Sequence, residues 1–291
     1  MTSTYRLVGS NGTVIEFDNI SYMITQDTIS GLSGYPVEYA SVAPPGFIGE
    51  IVNSATMLPR EISLSCVVLG SGRQELEARR LKLISALSPL NGSCQFIWHQ
   101  ENGSDYCINV MPSEGCPDFE IGTDHTDISW ECTLTFTAHD PTWRGLNSSG
   151  TQFFGKVKSF SLPFSYPFSV GIEVNDTTIT NTGSAPAPVV IELNGALYQP
   201  IVLQNVTTNQ TITVKKNILE GERLVIDTSD DNLSVTHYDT DNVATDALHY
   251  CSIGSDFWQL QPGANEIHHI AAQAGDTATG FITYYNRWMG V

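Results

Sequence analysis

Basic residues are scarce in this chain: 13 Lys and Arg stand against 31 Asp and Glu over 291 residues, a formal net charge of −18. That balance argues against holding nucleic acid on a basic surface, because such binding rests on cations neutralising phosphates. Long apolar runs are missing too, with nothing near the roughly 18 residues a membrane-crossing helix needs. Residues 1–20 show no charged start followed by an apolar stretch, so a soluble chain without a secretory leader is expected. Phosphate-cradling Gly-x-x-x-x-Gly-Lys-Ser/Thr and dinucleotide-binding Gly-x-Gly-x-x-Gly motifs do not occur. Gly31-Leu32-Ser33-Gly34-Tyr35 has the wrong spacing for a Gly-x-Ser-x-Gly nucleophile elbow. No catalytic residue, cofactor or metal site is therefore expected.

Cysteine is present but not patterned. None of the six forms Cys-x-x-Cys, and several sit inside apolar runs such as "ISLSCVVL" and "WECTLTF". Reduced, mostly buried thiols are expected. The alternative is a bridge or half a metal site from Cys107 and Cys116, which flank "INVMPSEG" but lack ligand spacing.

What the chain has in quantity is period-two alternation. "YRLVG", "TVIEF", "YMIT", "REISLSCVVLG", "CQFIWHQ", "DYCINVMP" and "ISWECTLTFTA" are short runs rich in β-branched and aromatic residues. Asn-Gly turns punctuate them at 10–13, 90–93 and 101–105. This pattern predicts a mostly antiparallel first half.

One stretch breaks the alternation. "GRQELEARRLKLISALSP", residues 72–89, predicts a helix over about 72–88 with Leu76, Leu83 and Leu87 in an apolar stripe and Leu81 and Ile84 widening one side. It ends at Ser88-Pro89, since proline cannot continue a helix and disfavours helical geometry before it. Glu75 and Arg79 are spaced for an ion pair. Arg73, Arg79 and Arg80 are candidate subunit-interface residues. Two readings stand open for arginines flanking the stripe: they snorkel over apolar neighbours, or they meet carboxylates of another subunit.

A composition shift after "FTAHDPTWRG" marks a boundary, giving domains 1–150 and 151–291 joined through the aromatic, proline-punctuated "FSLPFSYPFSV". The second half again alternates and shows no helical pattern of useful length, predicting an all-β sandwich or jelly roll. His125, His139, His268 and His269 are read as structural or surface residues; adjacent His268 and His269 would face opposite sides of a strand. The acidic turns at Asp227, Asp230 and Asp231 and at Asp239 and Asp241 lack a calcium loop's glycine and distal glutamate and read as solvated.

The order "ATMLPREISLSCVVLGSGRQELEARRLKLISALSPLNGSCQFIW", then "FTAHDPTW", resembles the N-terminal domain of the distal tail proteins of long-tailed phages and related prophage tail components. The signature residues are Arg60, leading an Arg-x-Ile/Leu-x-Leu strand, and Asp140, Pro141 and Trp143 at the domain's close. Ser88-Pro89 replaces the Asn-Pro usual at the end of the helix. "ITNTGSAPAPVVIELNG", "NVTTNQTITVKKNILEGERLVIDT", "WQLQPGANEI" and "YYNRWMGV" follow the family's order in the second half.

The resemblance implies a mainly β protein of two domains without catalysis. The first would be a split barrel or β-sandwich with one flanking helix, assembling as a homo-hexameric ring at the distal end of the tail tube. The second would be a galectin-like or carbohydrate-module-like β-sandwich facing outward, where baseplate or receptor-binding proteins dock. The ring's other face would meet the tail-associated hub or tip protein, and DNA would pass through unheld. The location implied is the virion tail tip, after synthesis in the host cytoplasm.

Two other classes compete. A carbohydrate-binding adaptor for host glycans would use an aromatic platform, with Trp258, Tyr250 and Trp288 as candidates and Tyr284 and Tyr285 nearby in sequence. A tail-tip glycosidase or peptidase would need paired carboxylates in a cleft or a metal motif.

Overall fold

The computed structural model describes residues 4–17, 20–25, 28–46, 48–101, 103–119, 126–155, 174–274 and 278–291. His125 and the stretch "FSLPFSYPFSV" lie outside them. The chain divides into two compact units, Met1–Leu146 with Trp288–Val291, and Asn147–Arg287.

The first unit holds β1 (Thr4–Val8), β2 (Val14–Phe17), β3 (Tyr22–Ile24), β4 (Val37–Val42), β5 (Ile51–Met57), β6 (Arg60–Leu69), α1 (Arg73–Ala86), β7 (Cys94–His99), β8 (Asp105–Pro112), β9 (Asp118–Phe119), β10 (Ser129–Ala138) and β11 (Trp143–Gly145). The main path of its sheet runs β2-β1-β7-β8-β10-β6-β3, with β9 on β10 and β11 on β8. Along β6 and β10, paired from Arg60↔Ala138 to Leu69↔Ser129, residues alternate inward and outward. Ile62, Leu64, Cys66 and Val68 meet Leu134, Phe136 and Ala138 in the core, as period-two patterning requires.

The helix covers that core. Leu76, Leu83 and Ala86 are buried along α1, and Leu87 at its C-cap is buried too; each leucine contributes about 1.5–3 kcal/mol by leaving water. The predicted widening of the stripe is corrected: Leu81 is 57% and Ile84 37% exposed. At about 100° per residue, Leu81 lies roughly 140° from Leu76, and Ala86, not Ile84, borders the buried side. The helix end abuts the β1–β2 turn so closely that a Cβ on Gly9 would stand 2.4 Å from the Ala86 carbonyl oxygen, so only glycine fits there. Asn-Gly closes the β1–β2 hairpin as expected, with Gly12 at φ +78°. The second Asn-Gly instead closes a one-turn 3-10 helix, Pro89–Asn91, two residues before β7 begins at Cys94.

The second unit contains β12 (Ser149–Gly155), β13 (Val174–Asn181), β14 (Val189–Asn194), β15 (Leu197–Asn205), β16 (Gln210–Val214), β17 (Arg223–Asp227), β18 (Ser234–Tyr238), β19 (Ala244–Asp246), β20 (Gly263–Ala274) and β21 (Thr279–Tyr284); β22 (Arg287–Trp288) leads out of it. Its two sheets run β12-β21-β14-β17-β18-β19 and β13-β20-β15-β16. Inward residues of both share one core, including Ile191, Leu193, Leu203, Ile212, Ile226, Ile267 and Ile282. This is the β-sandwich that the alternation predicted.

Candidate functional site

The four signature residues of the first unit converge on one buried cation. Arg60 opens β6 and is 1% exposed. Its Nε donates to the Pro141 carbonyl at 2.9 Å, one terminal nitrogen donates to the carbonyls of Gly31 (2.6 Å), Leu32 (3.2 Å) and Gly34, and the other donates to that of Met289. A guanidinium is tolerated inside a protein when its donors are matched in this way. Trp143 is fully buried, donates Nε1–H to the Leu32 carbonyl at 3.1 Å and sits edge-on to Phe96 and Trp98. Asp140 accepts from the Thr142 amide at 3.1 Å and its hydroxyl at 2.6 Å, fixing the turn that presents the Pro141 carbonyl. These residues bind chain to chain. Gly31, at φ +84°, could carry no Cβ, which would stand 1.9 Å from the Glu61 carbonyl oxygen. "GLSG", tested in sequence only as a nucleophile elbow, is the loop that cradles Arg60.

The helix arginines differ from one another. Arg79 donates to the carbonyls of Leu69 (2.6 Å) and Ile20 (3.1 Å) and pairs with Glu75 at 2.6 Å, the expected i,i+4 bridge. Arg80 pairs with Glu77 at 3.0 Å and lies over Trp130 and Phe119, 5.1 and 5.5 Å from the ring centroids. Hydrogen bonds from Ser71, and then the charge of Arg79, hold the Glu75 carboxyl below its ordinary range. Arg73, at the start of α1, is exposed.

The feature that the sequence reading missed is the β4–β5 hairpin. It forms a two-stranded sheet of its own, from Val37↔Met57 to Val42↔Ile51. Its strands are exposed almost throughout, with Tyr39 61%, Val42 54% and Val52 56% exposed. Ile48, in the connecting turn, is fully exposed. An isolated two-stranded hairpin is marginal in water, and its free edges invite another strand. Residues 37–57 also contain two glutamates, Glu38 and Glu50, and no Lys or Arg.

In the second unit the named aromatic candidates do not form an exposed platform among the described residues. Trp258 is 1% exposed, in the core, with Nε1–H donating to the Leu203 carbonyl at 3.3 Å. Trp288 belongs to the first unit, where it meets Tyr106 edge-on at 4.9 Å. Tyr250 is half-buried under Lys216 and His249, while Tyr284 is buried with its hydroxyl on the Thr180 carbonyl. Indoles pack inward because they bury large apolar areas, so the expectation that Trp258 forms part of a glycan platform is corrected here.

The remaining candidates resolve by burial. Asp227 accepts from Ser229 and Asn232, and Asp239 caps the amides of Asp241 and Val243, so both acidic turns are self-capped. His139 is exposed. Cys107 faces Arg144 and Gly145, whereas Cys116 lies near Thr135 and Cys132, so the bridge or shared metal considered for them is ruled out by placement. All six thiols are free. Cys66 faces Cys132 across β6 and β10, and the bond to that neighbour together with burial pushes its thiol up. His268 and His269 do face opposite sides. His269 is buried and stacked on Phe154 at 3.7 Å, with burial pulling its pKa down to about 4. His268 points outward, beside Asp176 and Glu266.

This fold and these residues match known proteins. Residues 182–288 match the family model of the siphovirus-type tail component, C-terminal domain. The distal tail protein of Bacillus phage SPP1 is 22% identical over 251 residues, covering 85% of this chain and 86% of that protein. The chain is thus similar to phage distal tail proteins along most of its length, and residues 182–288 carry their C-terminal domain. The crystal structure of the SPP1 distal tail protein, described as a hub adsorption apparatus, superposes with a TM-score of 0.65 at 15% identity, over 97% of this chain and 98% of that one. A chain of the phage p2 baseplate in its activated conformation superposes at 0.59 and 10% identity over the full length of both. The distal tail fold is thus shared across both units.

Proposed function

We propose that this chain is a distal tail protein, a structural, non-catalytic component of the virion tail tip. Six copies form a ring that joins the distal end of the tail tube to the hub or tip protein and to baseplate or receptor-binding proteins. The observation that carries the ring is the β4–β5 hairpin, whose apolar side chains and strand edges stay in water in a single copy. Closed symmetric assembly is the ordinary way to cover such edges without open-ended fibres. The hairpin's acidic character, with no basic residue over 37–57, suits a lining that DNA passes without sticking. Among the helix arginines, Arg73 is the one offered to a neighbouring subunit, because Arg79 and Arg80 are already engaged within their own chain. The second unit offers a sandwich surface for docking protein partners.

Sedimentation velocity of the full chain, alone and with its hub partner, tests this reading. A hexamer-sized species in either sample is expected. Monomer alone at high concentration with the hub present would overturn it.

A further inference from the structure

Outside the assembly surface, one group of side chains has no role in the reading above. Asp176 on β13 and His268 on β20 are directly paired across two hydrogen-bonded strands, and Glu266 lies two residues before His268 on the same outward face. His268 Nε2 is 3.3 Å from Asp176 Oδ1 and 3.1 Å from Glu266 Oε1, and the three ligand atoms lie within 4.8 Å of one another. Two carboxylates therefore converge on a single nitrogen. That nitrogen carries either one proton, which cannot satisfy both carboxylates fully, or one lone pair, which would face both with no cation between them. Two carboxylates this close repel one another, and a cation between them would offset that repulsion.

We propose that Asp176, Glu266 and His268 bind one divalent transition ion of the zinc class. One imidazole and two carboxylates suit such an ion better than calcium or magnesium, which favour all-oxygen sets. Bonds of about 2.0–2.1 Å at a tetrahedral centre place neighbouring ligands roughly 3.3 Å apart, close to the two separations found. The strands, not a loop, hold the ligands, so the geometry is fixed before the ion arrives. Water completes the coordination, since both carboxylates are more than half exposed. The ion ties β13, the edge strand of its sheet, to β20.

Calorimetric titration of the metal-free full chain with zinc chloride tests the site, with calcium chloride as comparison and thermal unfolding as a second readout. One zinc equivalent is expected, with a rise in Tm. His268→Gln, Asp176→Asn and Glu266→Gln should each weaken binding at least about tenfold and abolish the rise in Tm, while Asp239→Asn, in an exposed turn, should do neither. Absence of saturable zinc binding would mean that the carboxylates share only a proton and would overturn the proposal, as would zinc binding unchanged in the triple variant.

Discussion

Two hairpins in this molecule share a local design and meet opposite fates. In β15–β16, paired from Ile201↔Val214 to Asn205↔Gln210, the residues alternate and every second one, Ile201, Leu203, Ile212 and Val214, is fully buried. In β4–β5 the same antiparallel pairing carries Tyr39, Val42 and Val52 with nothing among the described residues to cover them. Pairing alone does not stabilise a hairpin; burial of one face does. The first hairpin finds that face within its own sandwich, and in the proposed ring the second finds it on another copy.

The contrast is largest in stability. Leu203→Ala should cost about 2–5 kcal/mol by opening a cavity, read as a lowered Tm or denaturant midpoint. A substitution such as Val52→Ser in the exposed hairpin should change the stability of the monomer by no more than about 0.5 kcal/mol. Comparable losses at both positions would mean that β4–β5 is packed within its own chain.

Next in size is a pH effect confined to the sandwich. His269 sits neutral in the core with its pKa lowered from about 6.5 to about 4. The unfolded chain therefore binds a proton that the folded one refuses, and stability falls as pH drops through the window from 6.5 to 4. The loss by pH 4 is on the order of 3 kcal/mol for this residue. His269→Phe should flatten that part of the curve, measured by urea unfolding at stepped pH.

The smallest contrast lies within α1. Arg79→Glu removes two bonds to carbonyls and sets like charge beside Glu75, so it should destabilise the fold by about 1–3 kcal/mol. Arg73→Glu should leave Tm within about 1 °C and act on assembly alone.

These differences also show what a sequence can and cannot express. The helix, its leucine stripe and its proline stop were legible because periodicity and the proline ring constraint are local. The β6–β10 ladder was legible because one buried face imposes strict alternation. The β4–β5 hairpin was not, since a segment with both faces in water has no reason to separate polar from apolar residues. Arg60 was legible only as a recurring letter: its partners are backbone carbonyls, which any side chain can carry. Asp176 lies some 90 residues before His268, so their pairing across β13 and β20 was not legible from the adjacent His268 and His269, which the strand separates. Leu81 was placed beside the stripe although it lies roughly 140° from Leu76, beyond the width of the buried face. The aromatic candidates failed for a related reason: Trp258 is equally suited to a platform and to a core, and only burial decides.

The central claim is that the β4–β5 hairpin is an assembly element, and sedimentation equilibrium on the double variant Tyr39→Ser and Val52→Ser tests it most directly. The account predicts a folded protein with unchanged Tm that remains monomeric, or fails to join its hub partner, under conditions where the native chain forms rings. A variant that assembles as well as the native chain would contradict it.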